Sequence, residues 1–375
     1  MHVGVPKEVK VAERRVGLTP ASVRELVAHG HEVAVEAGAG IGIGAPDEVY
    51  VAAGATIAVN AEAVWREADL VVKVKEPQEA ERAKLREGHL LFTYLHLAPD
   101  VPQTEELLES GATCIAYETV TDALGGLPLL APMSKVAGRM AVQAGAHCLE
   151  SPNGGAGILL GGVPGVASGR TVVIGGGVVG ENAIEMAIGL GSQVTVLDRD
   201  LDVLDRLSRR FGAELETVYS TNDSLEAEVL AADLVVGAVL VKGATAPKLV
   251  TEELVTRMKP GSVLVDVAID QGGCFETSRP TTHAKPTYVL HDVVHYCVAN
   301  MPGAVPRTST YALNNATLPF TLALADQGPR DALLADAHFL GGLNICGGML
   351  TEQHVAEAQG LDYVPPAEAL AKVYA

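Results

Sequence analysis

The sequence predicts an α/β protein with two Rossmann-like, doubly wound domains whose mostly parallel sheets flank a cleft. A length of 375 residues exceeds that of one ordinary domain. Short apolar runs alternate with helical patterns in two successive series, which is typical of repeated βα units. The chain is 48% hydrophobic but only 4% aromatic, so its core consists mainly of Ala, Val, Leu and Ile, which suits helices packed closely on a parallel sheet.

The first series of βα units starts at the N-terminus. Its strands alternate with segments that have helical periodicity. In chain order, strands and helices are predicted at Val3–Val5, Pro20–His29, Glu32–Val35, Asp47–Ala53, Leu70–Val74, Glu79–Leu85, Leu90–Thr93, Thr104–Ser110 and Cys114–Tyr117.

A long helical pattern, Met133–Glu150, and a Gly/Pro-rich segment, Asn153–Gly169, mark the passage to the second series. The second series is predicted at Thr171–Ile174, Val178–Leu190, Gln193–Asp198, Leu201–Phe211, Leu225–Ala231, Leu234–Ala238, Thr251–Met258 and Ser262–Ala268. Helical patterns return at Leu318–Ala325, Arg330–Leu340 and Glu352–Gln359. The pattern alone does not indicate which domain these last helices join.

Composition and charge exclude several classes of protein. A formal net charge of −19 without a run of Lys or Arg is unsuited to nucleic-acid binding. The five cysteines are widely spaced and form no CxxC pair, which favours a reducing, cytoplasmic compartment. We find no signal-peptide pattern, no apolar run long enough to span a membrane and no cluster with metal-ligand spacing, so we expect a soluble protein without a metal.

A glycine-rich loop indicates a dinucleotide site. The strand Thr171–Ile174 runs into Gly175-Gly-Gly-Val-Val-Gly180, and the next strand ends at Asp198, 18 residues beyond Gly180. Glycines at the first, third and sixth positions allow a tight turn, close approach of a pyrophosphate and close helix packing. An acid at Asp198 would bind ribose hydroxyls and repel a 2′-phosphate, which favours NAD over NADP, although Arg199 is its neighbour. Alternatively, Asp198 merely caps the next helix.

Polar residues near the carboxyl ends of the first strands indicate a substrate site. Arg15 follows the first strand and could grip a carboxylate with two hydrogen bonds. Lys75 closes the run Leu70–Lys75, and His96 follows the strand Leu90–Thr93, where an imidazole could exchange protons. Each has a structural alternative: Arg15 as a solvated neighbour of Arg14, Lys75 as one of two solvated lysines on an edge strand, and His96 as a packing residue.

Asp270 is the corresponding candidate in the second series. The apolar pattern Ser262–Asp270 ends in this acid, just before Gln-Gly-Gly. We therefore expect Asp270 at the carboxyl end of a strand, facing the same cleft. Alternatively, it caps the glycine turn.

With these residues in view, the chain closely resembles the alanine dehydrogenase family, which is related to the NAD-binding subunit of proton-translocating transhydrogenase. The resemblance runs from Val3 to about Asn344. It rests on Val5-Pro-Lys-Glu, Arg14-Arg-Val-Gly-Leu-Thr-Pro, Val72-Lys-Val-Lys-Glu-Pro, Phe92-Thr-Tyr-Leu-His-Leu, Pro128-Leu-Leu-Ala-Pro-Met-Ser, Val265-Asp-Val-Ala-Ile-Asp-Gln-Gly-Gly and Val298-Ala-Asn-Met-Pro. A departure lies at Cys346, where family members often carry a polar or charged residue.

The resemblance implies a function and a set of site residues. It implies NAD-dependent oxidative deamination of L-alanine to pyruvate and ammonia, and the reverse reaction. Arg15 and Lys75 would bind the substrate, and His96 and Asp270 would transfer protons across the cleft. Together with the glycine loop, the residues implied at the NAD site are Ser134, Gly175, Gly177, Val178, Val179, Gly180, Asp198, Ser220, Val239, Leu240, Val267, Ala268, Ile269, Asp270, Arg279, Val298, Ala299, Asn300 and Met301.

The resemblance also implies a domain order and an assembly. The catalytic domain would be discontinuous, with residues 1–130 and 307–375 enclosing an NAD-binding domain at residues 131–306, and the protein would be a homohexamer. Serine, 2-aminobutyrate and glyoxylate are expected side substrates, because excluding one methylene is worth only about 1–3 kcal/mol. Two other functions stay open: an NAD-binding subunit docked on a membrane proton translocator, and a saccharopine-type dehydrogenase with a larger pocket.

Overall fold

The computed structural model describes residues 1–239 and 246–375. These residues form two compact units along the chain. The first contains Met1–Met133 and Val305–Ala375, and the second contains Ser134–Ala304. The C-terminal helices, whose domain the sequence pattern left open, therefore pack in the first unit.

The N-terminal part of the first unit alternates strands with helices, as the sequence predicts. Helix starts follow capping residues: Thr19 accepts a hydrogen bond from the Ser22 amide at the start of the first helix, where Pro20 is the first helical residue. The elements are β1 (His2–Val5), α1 (Pro20–Ala28), β2 (Glu32–Glu36), α2 (Asp47–Ala52), β3 (Thr56–Ala58), α3 (Ala61–Glu67), β4 (Leu70–Val72), α4 (Glu79–Arg82), β5 (Leu90–Thr93), α5 (Val101–Glu109) and β6 (Thr113–Ala116).

The long helix α6 (Ala131–Cys148) leads into the second unit. There the βα series continues with β7 (Arg170–Ile174), α7 (Val178–Gly189), β8 (Gln193–Asp198), α8 (Leu201–Phe211), β9 (Leu215–Tyr219), α9 (Asn222–Ala231), β10 (Leu234–Gly237), α10 (Glu252–Thr256), β11 (Val263–Asp266), β12 (Thr287–Leu290) and β13 (Val293–Tyr296). The predicted strand over Ser262–Ala268 ends early, because a short 3-10 helix takes over at Val267–Gln271.

The chain ends with α11 (Pro306–Ala335), α12 (Ala337–Leu340), β14 (Leu343–Cys346), β15 (Met349–Leu350), α13 (Gln353–Gln359) and α14 (Pro366–Val373). Gly328 has non-helical dihedral angles (φ 77°, ψ 164°) and kinks α11 just before Pro329. The predicted helix over Arg330–Leu340 is wrong at one point: Asp336 breaks it and caps α12 by accepting a hydrogen bond from the His338 amide at 2.8 Å.

Strand order confirms the predicted fold class. In the described residues, the first unit has an eight-stranded sheet in the order β15-β14-β6-β5-β4-β1-β2-β3, and the second has a seven-stranded sheet in the order β12-β13-β11-β10-β7-β8-β9. Pairing is parallel except where β12, β14 and β15 join at the edges. In each sheet the chain starts near the middle and winds outward in both directions, which is the doubly wound arrangement.

This winding fixes where functional side chains can lie. In the first sheet the direction reverses between β1 and β4, and in the second between β7 and β10. The crevice beside such a reversal, at the carboxyl ends of the strands, is the usual ligand site of open α/β sheets. No helix in residues 1–239 and 246–375 is long and apolar enough to cross a membrane.

A buried histidine next to β5 makes the stability of the fold depend on pH. His89 is fully buried near Trp65, and burial together with the charge of Arg86 lowers its pKa from 6.5 to about 4. Between about pH 6.5 and pH 4, His89 is therefore protonated in the unfolded chain but neutral in the folded chain. We expect the free energy of unfolding to fall by about 2 kcal/mol between pH 7 and pH 5 from this group alone.

Urea unfolding at pH 7 and pH 5 measures this effect. His89→Leu is expected to reduce the pH dependence, whereas His147→Gln, at a side chain that is 68% exposed, is expected to leave it unchanged. Equal pH dependence in the native protein and in His89→Leu would contradict the assignment.

Candidate active site

Arg15 lies on the long connection between β1 and α1 and is held by a buried carboxylate. Glu13 accepts hydrogen bonds from Arg15 Nε at 2.7 Å and Nη2 at 2.5 Å, and from the Arg15 amide at 3.0 Å. The Arg15 side chain is 2% exposed, so the solvated alternative is wrong. Burial alone would lower the pKa of Arg15, but the hydrogen bonds and charge of Glu13 outweigh burial and raise it. The guanidinium is therefore a fixed cation.

Removing this carboxylate should destabilise the protein strongly. Glu13→Ala removes the carboxylate that accepts three hydrogen bonds from the buried Arg15, and we expect the free energy of unfolding to fall by about 3–5 kcal/mol. Glu67→Ala is the matched control, because Glu67 pairs with Arg66 at the surface with 62% exposure, and such pairs contribute about 0–1 kcal/mol. Urea denaturation of both variants checks the difference, and a similar loss for the two would contradict this account.

Lys73 and Lys75 follow β4 but have different surroundings. Strand β4 lies between β1 and β5 inside the sheet, so the edge-strand alternative is wrong. Lys73 is 0% exposed and binds Glu81 at 2.7 Å and Glu8 at 3.1 Å. Burial alone would lower the pKa of Lys73, but the two carboxylates outweigh it and raise the pKa. Lys73 is thus a structural cation.

Lys75 is half-buried just beyond the carboxyl end of β4. Its backbone is held on both sides, because its amide lies 3.4 Å from Glu8 Oε1 and its carbonyl accepts a hydrogen bond from Thr93 Oγ1 at 2.9 Å. Glu8 thereby ties β1 to the segment that carries both lysines. Of the two, Lys75 has the accessibility that a substrate-binding cation needs.

His96 lies beyond the carboxyl end of β5, and its side chain is 45% exposed. Its imidazole stacks on the buried ring of Tyr94, with centroids 5.7 Å apart and an interplanar angle of 3°. An exposed imidazole between two buried leucines, Leu95 and Leu97, is not a packing residue. Arg15, Lys75 and His96 therefore all belong to connections that leave the same edge of the first sheet.

The glycine loop of the second unit has the geometry that a pyrophosphate requires. Gly175 has a φ of +98°, which favours glycine. A Cβ at Gly180 would lie 1.8 Å from the Gly175 carbonyl oxygen, so only glycine fits there, whereas Gly177 faces open space. Helix α7 begins at Val178 with Gly177 as its N-cap, and its first amides are available to an anion. The loop fits a dinucleotide.

Asp198 lies at the end of β8 and supports the loop. Its Oδ2 accepts a hydrogen bond from the Gly176 amide at 2.7 Å, and its Oδ1 accepts one from the Asp200 amide at 2.9 Å. Helix α8 is capped by Asp200, so the alternative role of Asp198 as the helix cap is wrong. An open depression of about 570 Å³ next to Asp198 is lined also by Arg199, Leu201 and Tyr219, and it has room for a ribose.

Most remaining cofactor candidates lie at or near the carboxyl edge of the second sheet. Ser220 follows β9, Val239 follows β10, the Val267–Asp270 turn follows β11, and Val298–Met301 follows β13. Ser134 lies in the first turn of α6. Arg279 stacks over Tyr288, 4.3 Å from its ring centroid. Leu240 lies outside the described residues.

Asp270 differs from the expectation that it ends a strand. It is exposed on the 3-10 helix Val267–Gln271. The carboxylate that organises this turn is Asp266, which sequence reasoning missed: it accepts hydrogen bonds from Ala268, Cys274, Phe275 and Ser278. Burial raises the pKa of Asp266 despite these donors. The Gly272-Gly273 sequence after Asp270 was the signal for a turn, but the pattern did not identify which acid closes it.

Comparison with known proteins agrees with this geometry. Residues 4–137 match the model for the alanine dehydrogenase/PNT N-terminal domain, and residues 141–353 match the model for the C-terminal domain. The chain belongs to the alanine dehydrogenase/PNT family. Within residues 1–239 and 246–375, no group of three or more His, Cys, Asp or Glu side chains could hold a metal ion.

Similarity to individual family members extends over the whole chain. This chain is 62% identical to an alanine dehydrogenase of Halomonas elongata, and the match covers 98% of this chain and 99% of that protein. It is 53% identical to an alanine dehydrogenase of Bacillus subtilis, covering 99% and 98%. A solved L-alanine dehydrogenase is 52% identical with a TM-score of 0.93, covering 96% and 99%.

A more distant structure shares the fold alone. The transhydrogenase from Sinorhizobium meliloti is 24% identical with a TM-score of 0.80, covering 94% of this chain and 99% of that one. The family models and the alanine dehydrogenases above confirm the predicted resemblance to the alanine dehydrogenase family.

Proposed function

We propose that the protein is an NAD-dependent L-alanine dehydrogenase, which oxidatively deaminates L-alanine to pyruvate and ammonia and catalyses the reverse reductive amination. One observation carries the proposal: a chain of this family has a fixed arginine, an accessible lysine and an exposed histidine at one edge of its first sheet. Its second unit has a nucleotide loop with an acid at the end of β8. A protein that only carries a nucleotide has no physical need for the arginine, lysine and histidine at the edge of the first sheet.

Arg15 and Lys75 bind the substrate in this proposal. Glu13 holds the Nε and Nη2 atoms of Arg15, and Nη1 lies 3.1 Å from Met133 Sδ. We assign the Arg15 guanidinium to the substrate carboxylate. Lys75 binds the carbonyl oxygen of pyruvate, on which negative charge develops when ammonia attacks the carbonyl carbon and, in the opposite direction, when the carbinolamine loses ammonia.

His96 and Asp270 handle protons. The amine of L-alanine must lose its extra proton before the Cα–H bond can break, and an imidazole is suited to accept it near neutral pH. After oxidation, a base must take a proton from the water that attacks the imine carbon. We assign these proton-transfer steps to His96 and Asp270. NAD, when bound, would supply the nicotinamide ring that accepts the hydride from Cα of L-alanine.

The second unit binds the cofactor in this proposal. The amides at the start of α7 hold the pyrophosphate, and Asp198 accepts hydrogen bonds from the adenosine ribose, which disfavours the 2′-phosphate of NADP. The catalytic domain of this proposal, residues 1–130 and 307–375, lies within the first unit, and the NAD-binding domain, residues 131–306, contains the second. A homohexamer in the cytoplasm completes the proposal, and light scattering tests the assembly.

Reductive amination provides a direct test. Purified protein with NADH, pyruvate and ammonium is expected to consume NADH and to form L-alanine, identified by chiral chromatography. The same mixture without ammonium is the control, because a 2-hydroxy-acid dehydrogenase would consume NADH there. Consumption that does not depend on ammonium, or the absence of L-alanine, would contradict the proposed function.

A further inference from the structure

Glu118 contacts the segment that carries His96, and the sequence pattern did not single it out. It lies in the 3-10 helix Tyr117–Thr119 directly after β6. Strands β5 and β6 are parallel neighbours, with Thr93 paired to Ala116, so the two chains leave the sheet side by side. The Glu118 carboxylate accepts hydrogen bonds from the His96 amide at 2.5 Å and from the Leu95 amide at 3.1 Å.

These hydrogen bonds support a strained backbone. His96 has a φ of +52°, a left-handed conformation that costs a residue with a side chain about 1–2 kcal/mol. Leu95 and Leu97 are 0% and 2% exposed, whereas the His96 side chain is 45% exposed. The turn therefore projects the imidazole out of an apolar run, and Glu118 holds the two amides at its centre.

Glu118 also faces the imidazole itself. Its Oε1 lies 3.7 Å from His96 Nδ1, and its side chain is 13% exposed, so water screens the carboxylate only in part. The other support of the ring is Tyr94, whose hydroxyl donates a hydrogen bond to the Leu129 carbonyl at 2.6 Å. A negative charge beside Nδ1 favours the tautomer that carries its proton there.

We propose that Glu118 is a positioning residue for His96. It stabilises the left-handed turn and keeps the proton of the neutral imidazole on Nδ1, so that Nε2 presents its lone pair to the substrate amine. The inference rests on the proposed function, because it assigns Glu118 a part in the proton transfer of His96. Glu118 itself touches no reacting atom.

A double-mutant cycle tests this role. Glu118→Gln retains a carbonyl oxygen that can accept the backbone N–H bonds, but it removes the charge beside Nδ1. We expect it to lower kcat for L-alanine oxidation about 10- to 100-fold, the range found when a carboxylate that orients a metal-bound histidine is lost, with little change in the KM for NAD. In a His96→Ala background, the same substitution is expected to have no further effect on the residual kcat.

A matched control and a second readout separate positioning from general structure. Glu106→Gln removes a carboxylate on α5 that is 40% exposed and pairs with Arg82 on α4, and it is expected to keep the native kcat. Nitrogen-15 NMR of labelled histidines, with the His96 signals assigned from His96→Ala, is expected to show an Nδ1-protonated ring in the native protein. In Glu118→Gln the tautomer shifts towards Nε2–H.

Each outcome decides the inference. A native kcat in Glu118→Gln, an equal fold loss in both backgrounds, or an unchanged tautomer would overturn it while the native protein still turns over L-alanine. If the native protein turns over no L-alanine, the proposed function fails and the inference fails with it. The inference is supported if Glu118→Gln lowers kcat only when His96 is present and also shifts the tautomer of His96.

Discussion

Replacement of Lys75 by alanine is expected to lower kcat/KM for L-alanine about 1,000-fold, because it removes the cation assigned to the negative charge that develops on the carbinolamine oxygen as ammonia leaves. Lys75 has the required accessibility, since it is half-buried at the carboxyl end of β4 and its backbone is held by Glu8 and Thr93. Steady-state kinetics with NAD and L-alanine measures the loss.

Lys84→Ala is the matched control for this substitution. Lys84 belongs to the same unit, its side chain is 27% exposed, and it pairs with Glu62, so its loss is expected to leave turnover unchanged. The affinity for NADH should be unchanged in both variants, because neither lysine lies in the second unit. Near-native turnover by Lys75→Ala would contradict the assignment of the substrate site.

Replacement of Gly180 by alanine is expected to weaken NADH binding about 100-fold, since losing one hydrogen bond to a charged group costs about 1.5–3 kcal/mol. The added methyl group would lie 1.8 Å from the Gly175 carbonyl oxygen, so the loop and the start of α7 must move apart. The pyrophosphate would then lose the amides that the proposal assigns to it. Fluorescence titration with NADH measures the dissociation constant.

The same helix provides the control. Gly189 is the last residue of α7, and a Cβ there meets nothing within 4 Å. Gly189→Ala is therefore expected to keep the affinity for NADH and to raise stability slightly, because alanine favours a helix over glycine by about 1 kcal/mol. Native affinity in Gly180→Ala would show that this loop does not hold the pyrophosphate.

Local sequence patterns predicted the parts of the molecule that depend on neighbouring residues. The glycine loop before α7 and the acid at the end of β8 follow from spacing within about one βα unit. The alternation of strands and helices gave the fold class for the same reason. The break at Asp336 was missed because the apolar periodicity continues through it, while a side-chain cap restarts the helix.

The supporting carboxylates were harder to predict, because they act across the sheet. Glu118 and His96 are 22 residues apart, and Glu8 and Lys75 are 67 residues apart. The two residues of each pair meet because the strands that precede them are parallel neighbours in the sheet. The local sequence pattern does not show which strands are neighbours. Glu13 is the exception: it lies two residues before Arg15, and an acid so close to a candidate arginine could have been recognised as its partner.

Hydride transfer from L-alanine to NAD, as we propose for this chain, can be followed by absorbance at the reduced-nicotinamide band. Protein mixed with NAD and L-alanine is expected to form NADH, with far less product from D-alanine or when NADP replaces NAD. Serine and 2-aminobutyrate are expected to react more slowly. Tight binding of NADH without turnover of any amino acid would contradict the claim and would favour a nucleotide-carrying subunit instead.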